Sequence, residues 1–400
     1  MHQADDLAAN NAVSPSPNRQ GRLVFALFAA GLSLRPPLIL AAALLPQMRA
    51  EFGLSYAEGG LLTAIPVFCM GLFALPAGRL YAFLGARSSL AVAIALVAIG
   101  GTLRSAVVSP FELYVLTFII GVGAGLAGAL LPAIVRQHLA AATGRSTGIY
   151  SLGTNGGASI AATIAIPLAS LAGTWRGPSL VFGVASFVSL AVWLALSAST
   201  AATTAKASDT SSSAWRLPWA YYLGAIFGLQ AICFFGLNTW LLSASIEWGW
   251  SELQASWLVG ALNVLTVPGS LAVGLLGERL SRQTALCIAA SLLAVALTGI
   301  AFFNAALWIW VVFAGLACGA LFPLIMAMTV DAGRDAKETA SIAGVTLAFG
   351  YAVGGAAPAV LGAIRDAAHD FRGAFATLIV SALILVVASL AAARRPLNAS

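Results

Sequence analysis

Of the chain's 400 residues, 60% are hydrophobic and only 8% are charged, against roughly 45–50% and about 25% in a soluble domain. The charge balance of +6 comes from 20 Lys and Arg against 14 Asp and Glu, with no like-charge run long enough to make a nucleic-acid arm. Soluble enzymes, disordered chains, collagens and coiled coils are thereby excluded, and the composition is that of an integral membrane protein.

Residues 1–20 are rich in Ala, Asn, Asp, Ser and Pro and read as a disordered tail without a signal peptide. A crossing of a hydrocarbon core of roughly 30 Å takes about 20 mostly apolar residues. That length predicts spans near 22–46, 59–83, 88–107, 112–136, 146–171 and 178–198. A Ser/Thr/Ala linker over 199–218 follows, and then spans near 219–245, 254–277, 283–303, 306–329, 339–364 and 371–393. A short tail, 394–400, closes the chain. The expected domains are thus two six-helix bundles, 21–198 and 219–393, in an all-α membrane protein of twelve transmembrane helices.

Placing the N-terminus in the cytoplasm puts fourteen of the twenty basic residues on the inside. Five, Arg49, Arg104, Arg176, Arg365 and Arg372, lie outside, and Arg35 falls within a span. The positive-inside rule therefore supports twelve spans with both termini cytoplasmic. The halves echo one another: the fourth span carries GALLP at Gly128–Pro132 and the tenth GALFP at Gly319–Pro323. The fifth holds Gly153, Gly156 and Gly157, and the eleventh Gly350, Gly354 and Gly355. Such a parallel six-plus-six repeat is one arrangement used by secondary transporters.

Arg35, in SLRPPL near the centre of the first span, is the residue that points most directly to function. A central arginine costs about 2.5–3.5 kcal/mol on insertion scales, so it faces a polar cavity or a partner. The two following prolines withdraw backbone donors and kink the helix. All fourteen acids map to loops, tails or span ends, which leaves an anionic cargo as the expected counter-charge. The same lack of a buried acid means that no residue marks a site for proton coupling; co-transport of a proton stays open.

Further polar residues at membrane depth are candidates for the same cavity: Tyr150 and Asn155 on the fifth span, and Gln230 and Asn238 with Trp240 nearby on the seventh. Asn263 on the eighth and Tyr351 on the eleventh complete the set. Amides and phenols can donate to an anion; the competing reading for each is a hydrogen bond between helices. Arg104, near the outer end of the third span, is expected to snorkel toward the headgroups.

Other patterns carry no chemistry. Gly123–Gly128 fits GxGxxG, yet it lacks a preceding strand and a following acid. Gly121/Gly125 and Gly153/Gly157 read instead as small faces that let helices approach closely. Cys69, Cys233, Cys287 and Cys318 lie singly in apolar runs and read as buried thiols. No catalytic motif is present, so neither an enzyme nor a cofactor or metal site is expected.

Several segments together resemble the major facilitator superfamily, and within it the cyanate/nitroimidazole porter-like group. They are LRPPLI, LLTAIPVFCMGLFA, LLPAIVRQ, GIYSLGTNGGA, GLQAICFFGLNTWL and GYAVGGAAPAVLGAIRD. The resemblance covers roughly 22–390. It implies a secondary carrier working by alternating access on small anionic or polar solutes, with Arg35, Asn155, Gln230 and Trp240 at characteristic positions. Two departures stand out: Ala82 where the family's 2–3 loop has Asp, and Phe235 where a tyrosine is expected.

The reading that results is a multi-pass, monomeric transporter of the inner (plasma) membrane. Its partners would be the lipid bilayer and a small solute such as a cyanate-like ion, a nitro compound or a small organic anion. Efflux of a neutral or cationic toxicant is the alternative within transport, and a non-transporting membrane sensor is the alternative outside it.

Overall fold

The computed structural model describes residues 17–139, 143–197, 218–276, 280–333 and 336–393, and all regular structure among them is helical. Eleven helices have the length and apolarity to cross a bilayer. One of them, Tyr56–Leu103, has 48 residues and would reach roughly 72 Å if straight, far more than one crossing requires. Gly85 divides it at φ 76° and ψ 171°, a conformation that glycine adopts at little cost. The described residues therefore offer twelve segments long enough to cross.

The first span is built of two pieces, Pro17–Leu34 and Pro36–Ala43, and the short polar helix Leu45–Phe52 follows it. After the second and third spans come Pro110–His138, Thr143–Ala172 and Arg176–Leu196. The later six are Pro218–Glu247, Glu252–Leu276, Arg282–Phe302, Leu307–Ala332, Ala336–Ala368 and Arg372–Ala393. Helix already begins at Pro17, inside the segment expected to be a tail. The remainder of that tail, residues 198–217 of the linker and the 394–400 tail lie outside the described residues.

Caps explain why some helices outrun their apolar cores. Ser55 accepts a hydrogen bond from the Glu58 amide while the Glu58 carboxylate accepts one from the Ser55 amide. This capping box starts the second span at Tyr56 rather than at the apolar run near 59. Ser109 caps the fourth span in a similar way, with Pro110 in its first turn. The spans' ends away from Pro17 and Ala393 gather at one end of the array, here termed distal. There Arg176 pairs with Glu51 at 2.7 Å and Arg365 pairs with Glu247 at 2.8 Å.

Close helix approach depends on residues without side chains. A Cβ at Gly157 would lie 2.2 Å from the Leu32 carbonyl oxygen, and one at Gly153 would lie 2.5 Å from that of Phe28. The fifth span thus rides directly on the first. In the same way Gly125 brings the fourth span against Cys69 of the second. On the sixth, ninth and twelfth spans Val188, Val295 and Val387 are exposed. Such apolar surface is a liability in water and the required covering in lipid.

The first six spans meet the last six along two seams. The second span packs on the eleventh, where Phe68 faces Gly355 and Gly60 faces Pro358. The fifth packs on the eighth, where the Ser256 hydroxyl donates to the Ala162 carbonyl at 2.6 Å. Thr239 donates to Thr63 at 3.0 Å between the seventh and second spans. All of these contacts lie between the middle of the array and its distal end.

Candidate functional site

The break in the first span follows from its prolines. Pro36 and Pro37 have no N–H, so the carbonyls of Leu32 and Ser33 lose their usual helical partners. Arg35 sits at the bend, with φ −90° and ψ −31°, and its own carbonyl caps the next piece through the amides of Leu38 and Ile39. The Ser186 hydroxyl on the sixth span compensates the Ser33 carbonyl at 3.4 Å. The expected kink is therefore a full interruption, held in place by a neighbouring helix.

The Arg35 side chain is half-buried and donates through Nη1 to the Asn155 Oδ1 at 3.2 Å. One of its five N–H donors is thus used. Among the described residues the ion pairs are Arg176–Glu51, Arg282–Asp331 and Arg365–Glu247, and Arg35 belongs to none. Tyr351 of the eleventh span lies within electrostatic range of this charge.

That half presents an aromatic wall. Tyr351 meets Phe227 edge-on at 5.0 Å between ring centroids and lies 6.3 Å from Phe235. Phe227 in turn lies 5.7 Å from Phe322 of the tenth span. Gln230, one helical turn from Phe227, is 4% exposed and makes no hydrogen bond among the described residues. A buried amide in that condition needs water or a solute as its partner. Phe227 and Phe322 were not marked by the sequence, although Phe227 stands at i−3 from Gln230, the spacing of one helix face.

The other candidates fall elsewhere. The main-chain oxygen of Tyr150 lies against Gly31, toward the end that holds Pro17. Asn238 and Asn263 are bonded to each other at 2.8 Å, and both also donate to the helix backbone, at Phe234 and Val259. Their amides join the seventh span to the eighth. Trp240 is 1% exposed and donates its indole N–H to the Pro358 carbonyl at 2.9 Å. Its ring packs against Tyr56 and Phe371, at the distal end and beyond the Arg35 cluster.

Arg104 departs from expectation. Instead of reaching headgroups it is 1% exposed, and its Nη2 donates to the Pro37 carbonyl at 2.8 Å. The reason is geometric: Gly101 lets the third span close on Pro37, and the arginine one turn further on is folded under the short first-span piece. At the distal surface, the Arg176 guanidinium bonded to Glu51 holds that carboxyl below the usual range, with Trp175 as a second donor.

A helical array with a lone guanidinium, a free amide and an aromatic wall between its halves defines a membrane transport protein. The profile of the Major Facilitator Superfamily matches residues 23–247 and 231–399, and the chain belongs to that family. It is similar to the 2-nitroimidazole transporter of Escherichia coli (strain K12), at 27% identity over 93% of this chain and 95% of the relative. It is equally similar to the cyanate transport protein CynX of the same organism, at 27% identity over 94% and 98%. Among solved structures, a bacterial homologue of the lysosomal transporter Spinster superposes with a TM-score of 0.77 at 18% identity, covering 95% of this chain and 98% of that one. A D-xylose–proton symporter does so with a TM-score of 0.76 at 14% identity, over 92% and 96%. These two attest the fold.

Proposed function

We propose that the chain carries a small anionic or polar solute across the inner membrane by alternating access, with both termini cytoplasmic and the six-span halves acting as two bundles. The observation that carries this reading is Arg35, a guanidinium at membrane depth with one amide partner and no carboxylate among the described residues. Asn155 orients it, Gln230 and the Tyr351 hydroxyl offer further donors, and the rings of Phe227, Phe235 and Tyr351 shape the opposite wall. A slim linear ion such as cyanate, or a planar nitro group on an aromatic ring, suits a guanidinium opposite such rings. The names of the two bacterial relatives point to the same chemistry.

The bias of basic residues supports a distal end that faces outside. With the contacts between halves concentrated there, the solute path would open toward the cytoplasm. The relatives' names as transporters support passage rather than catalysis.

The decisive experiment is uptake of cyanate and of 2-nitroimidazole into proteoliposomes holding the wild type, Arg35→Gln or Arg35→Lys. A charge-assisted bond is worth about 1.5–3 kcal/mol, so Arg35→Gln should lower kcat/KM about 10- to 100-fold, with partial retention in Arg35→Lys. Undiminished transport by Arg35→Gln would remove the anion reading.

A further inference from the structure

The distal contact between the halves is built as a plug and socket. The first turn of the second span has four amides without helical acceptors: Ser55, Tyr56, Ala57 and Glu58. The capping box satisfies Ser55 and Glu58. The other two donate to the carboxylate of Asp366 on the eleventh span, Tyr56 at 2.9 Å and Ala57 at 2.8 Å. The acid thus completes, from the other half of the chain, a cap that local sequence leaves unfinished, and its charge faces the positive end of the helix.

The Tyr56 ring enters the same socket. Trp240 and Phe371 lie 5.6 and 5.5 Å from it, centroid to centroid. The Arg365 guanidinium stands 4.2 Å from its centroid and is held there by Glu247, while Arg49 covers the ring from its own half at 3.2 Å. Gly362 makes the close fit possible, since a Cβ there would lie 2.2 Å from the Tyr56 carbonyl oxygen.

We propose that Asp366 and the Tyr56 socket form a reversible latch that closes the distal mouth and must release before that mouth opens. This rests on the alternating-access reading. The device suits a switch because Asp366 and Tyr56 are only half-buried and Glu58 beside them is exposed. Once parted, the carboxylate and the two amides meet water instead of lipid, so both states leave the polar groups satisfied.

The test uses nitroxide pairs at Val108 and Phe303, exposed distal positions on opposite halves, in full-length protein without its native cysteines in nanodiscs. Asp366→Asn keeps one acceptor but loses the charge and one bond. It should raise the ratio of long to short distances about tenfold. Gly362→Ala acts by steric exclusion and should shift the ratio the same way. Asp370→Asn, a half-buried acid that accepts from the Arg372 amide beside it, should leave the ratio unchanged. Distances unaltered in both Asp366→Asn and Gly362→Ala, or an equal shift in Asp370→Asn, would overturn the latch. Solute uptake by the wild type, measured in parallel, shows whether the transport reading falls with it.

Discussion

Arg35 and Arg104 sit on either side of the same helix break, and neither has a carboxylate partner. Arg104 is sealed, 1% exposed and tied to the Pro37 carbonyl; Arg35 is half-buried and held by one amide. Burial of a charge therefore does not mark a binding site by itself. The distinction lies in exposure and spare donors: Arg104 serves the architecture of the first span, whereas the half-buried Arg35 keeps donors for the proposed solute.

Replacing each arginine separates these roles. After the transport loss expected at Arg35, the next largest effect should come from Arg104→Met, which leaves the Pro37 carbonyl without its buried donor. The cost is about 1–3 kcal/mol, seen as a lower melting temperature while KM for solute stays within about twofold of wild type. A large change in KM at unaltered stability would place Arg104 in the binding machinery and erase the contrast. Gln230→Leu should do the reverse: loss of a free buried amide removes one neutral hydrogen bond to solute, about 0.5–1.5 kcal/mol, and weakens binding about two- to tenfold in calorimetry. The melting temperature in the absence of solute should hold or rise, because an unpartnered polar group is removed.

The smallest effect concerns a paired arginine, Arg176 with Glu51. Because the Glu51 carboxyl is held below its usual value by Arg176, its stabilising contribution is complete above about pH 4.5 and is lost as pH falls through the lowered value. Both groups are partly exposed, so Glu51→Gln should lower the melting temperature only slightly at pH 7, and the difference should vanish in acid.

Much of this was legible in the chain. Span length gave the passes, and Pro36–Pro37 gave the break. The glycine pairs at 121/125 and 153/157 marked helix faces that do approach backbone closely. What spacing along a helix does not convey is which partner waits across the fold. Asn155 was visible as a polar residue at membrane depth, but not as the acceptor of an arginine 120 positions away. Trp240 looked like a pocket residue because it follows Gln230 on one helix. Ten residues, however, advance a helix about 15 Å, enough to carry the ring from the cavity to the distal rim. Arg104 was misjudged for a related reason: a long cationic side chain near a span end can snorkel, and only the fit of Gly101 on Pro37 decides otherwise.

The glycine contacts that seat the fifth span on the first have a consequence for cargo size. They fix Arg35 and Asn155 together in the first half, while Phe227, Phe235 and Tyr351 stand in the second; in the proposed mechanism these are two bodies with a gap between them. A solute gripping the guanidinium touches the rings only if it spans that gap, and a bulky one props the bodies apart. Fit would then be judged by dimension as well as by charge, favouring compact, flat solutes.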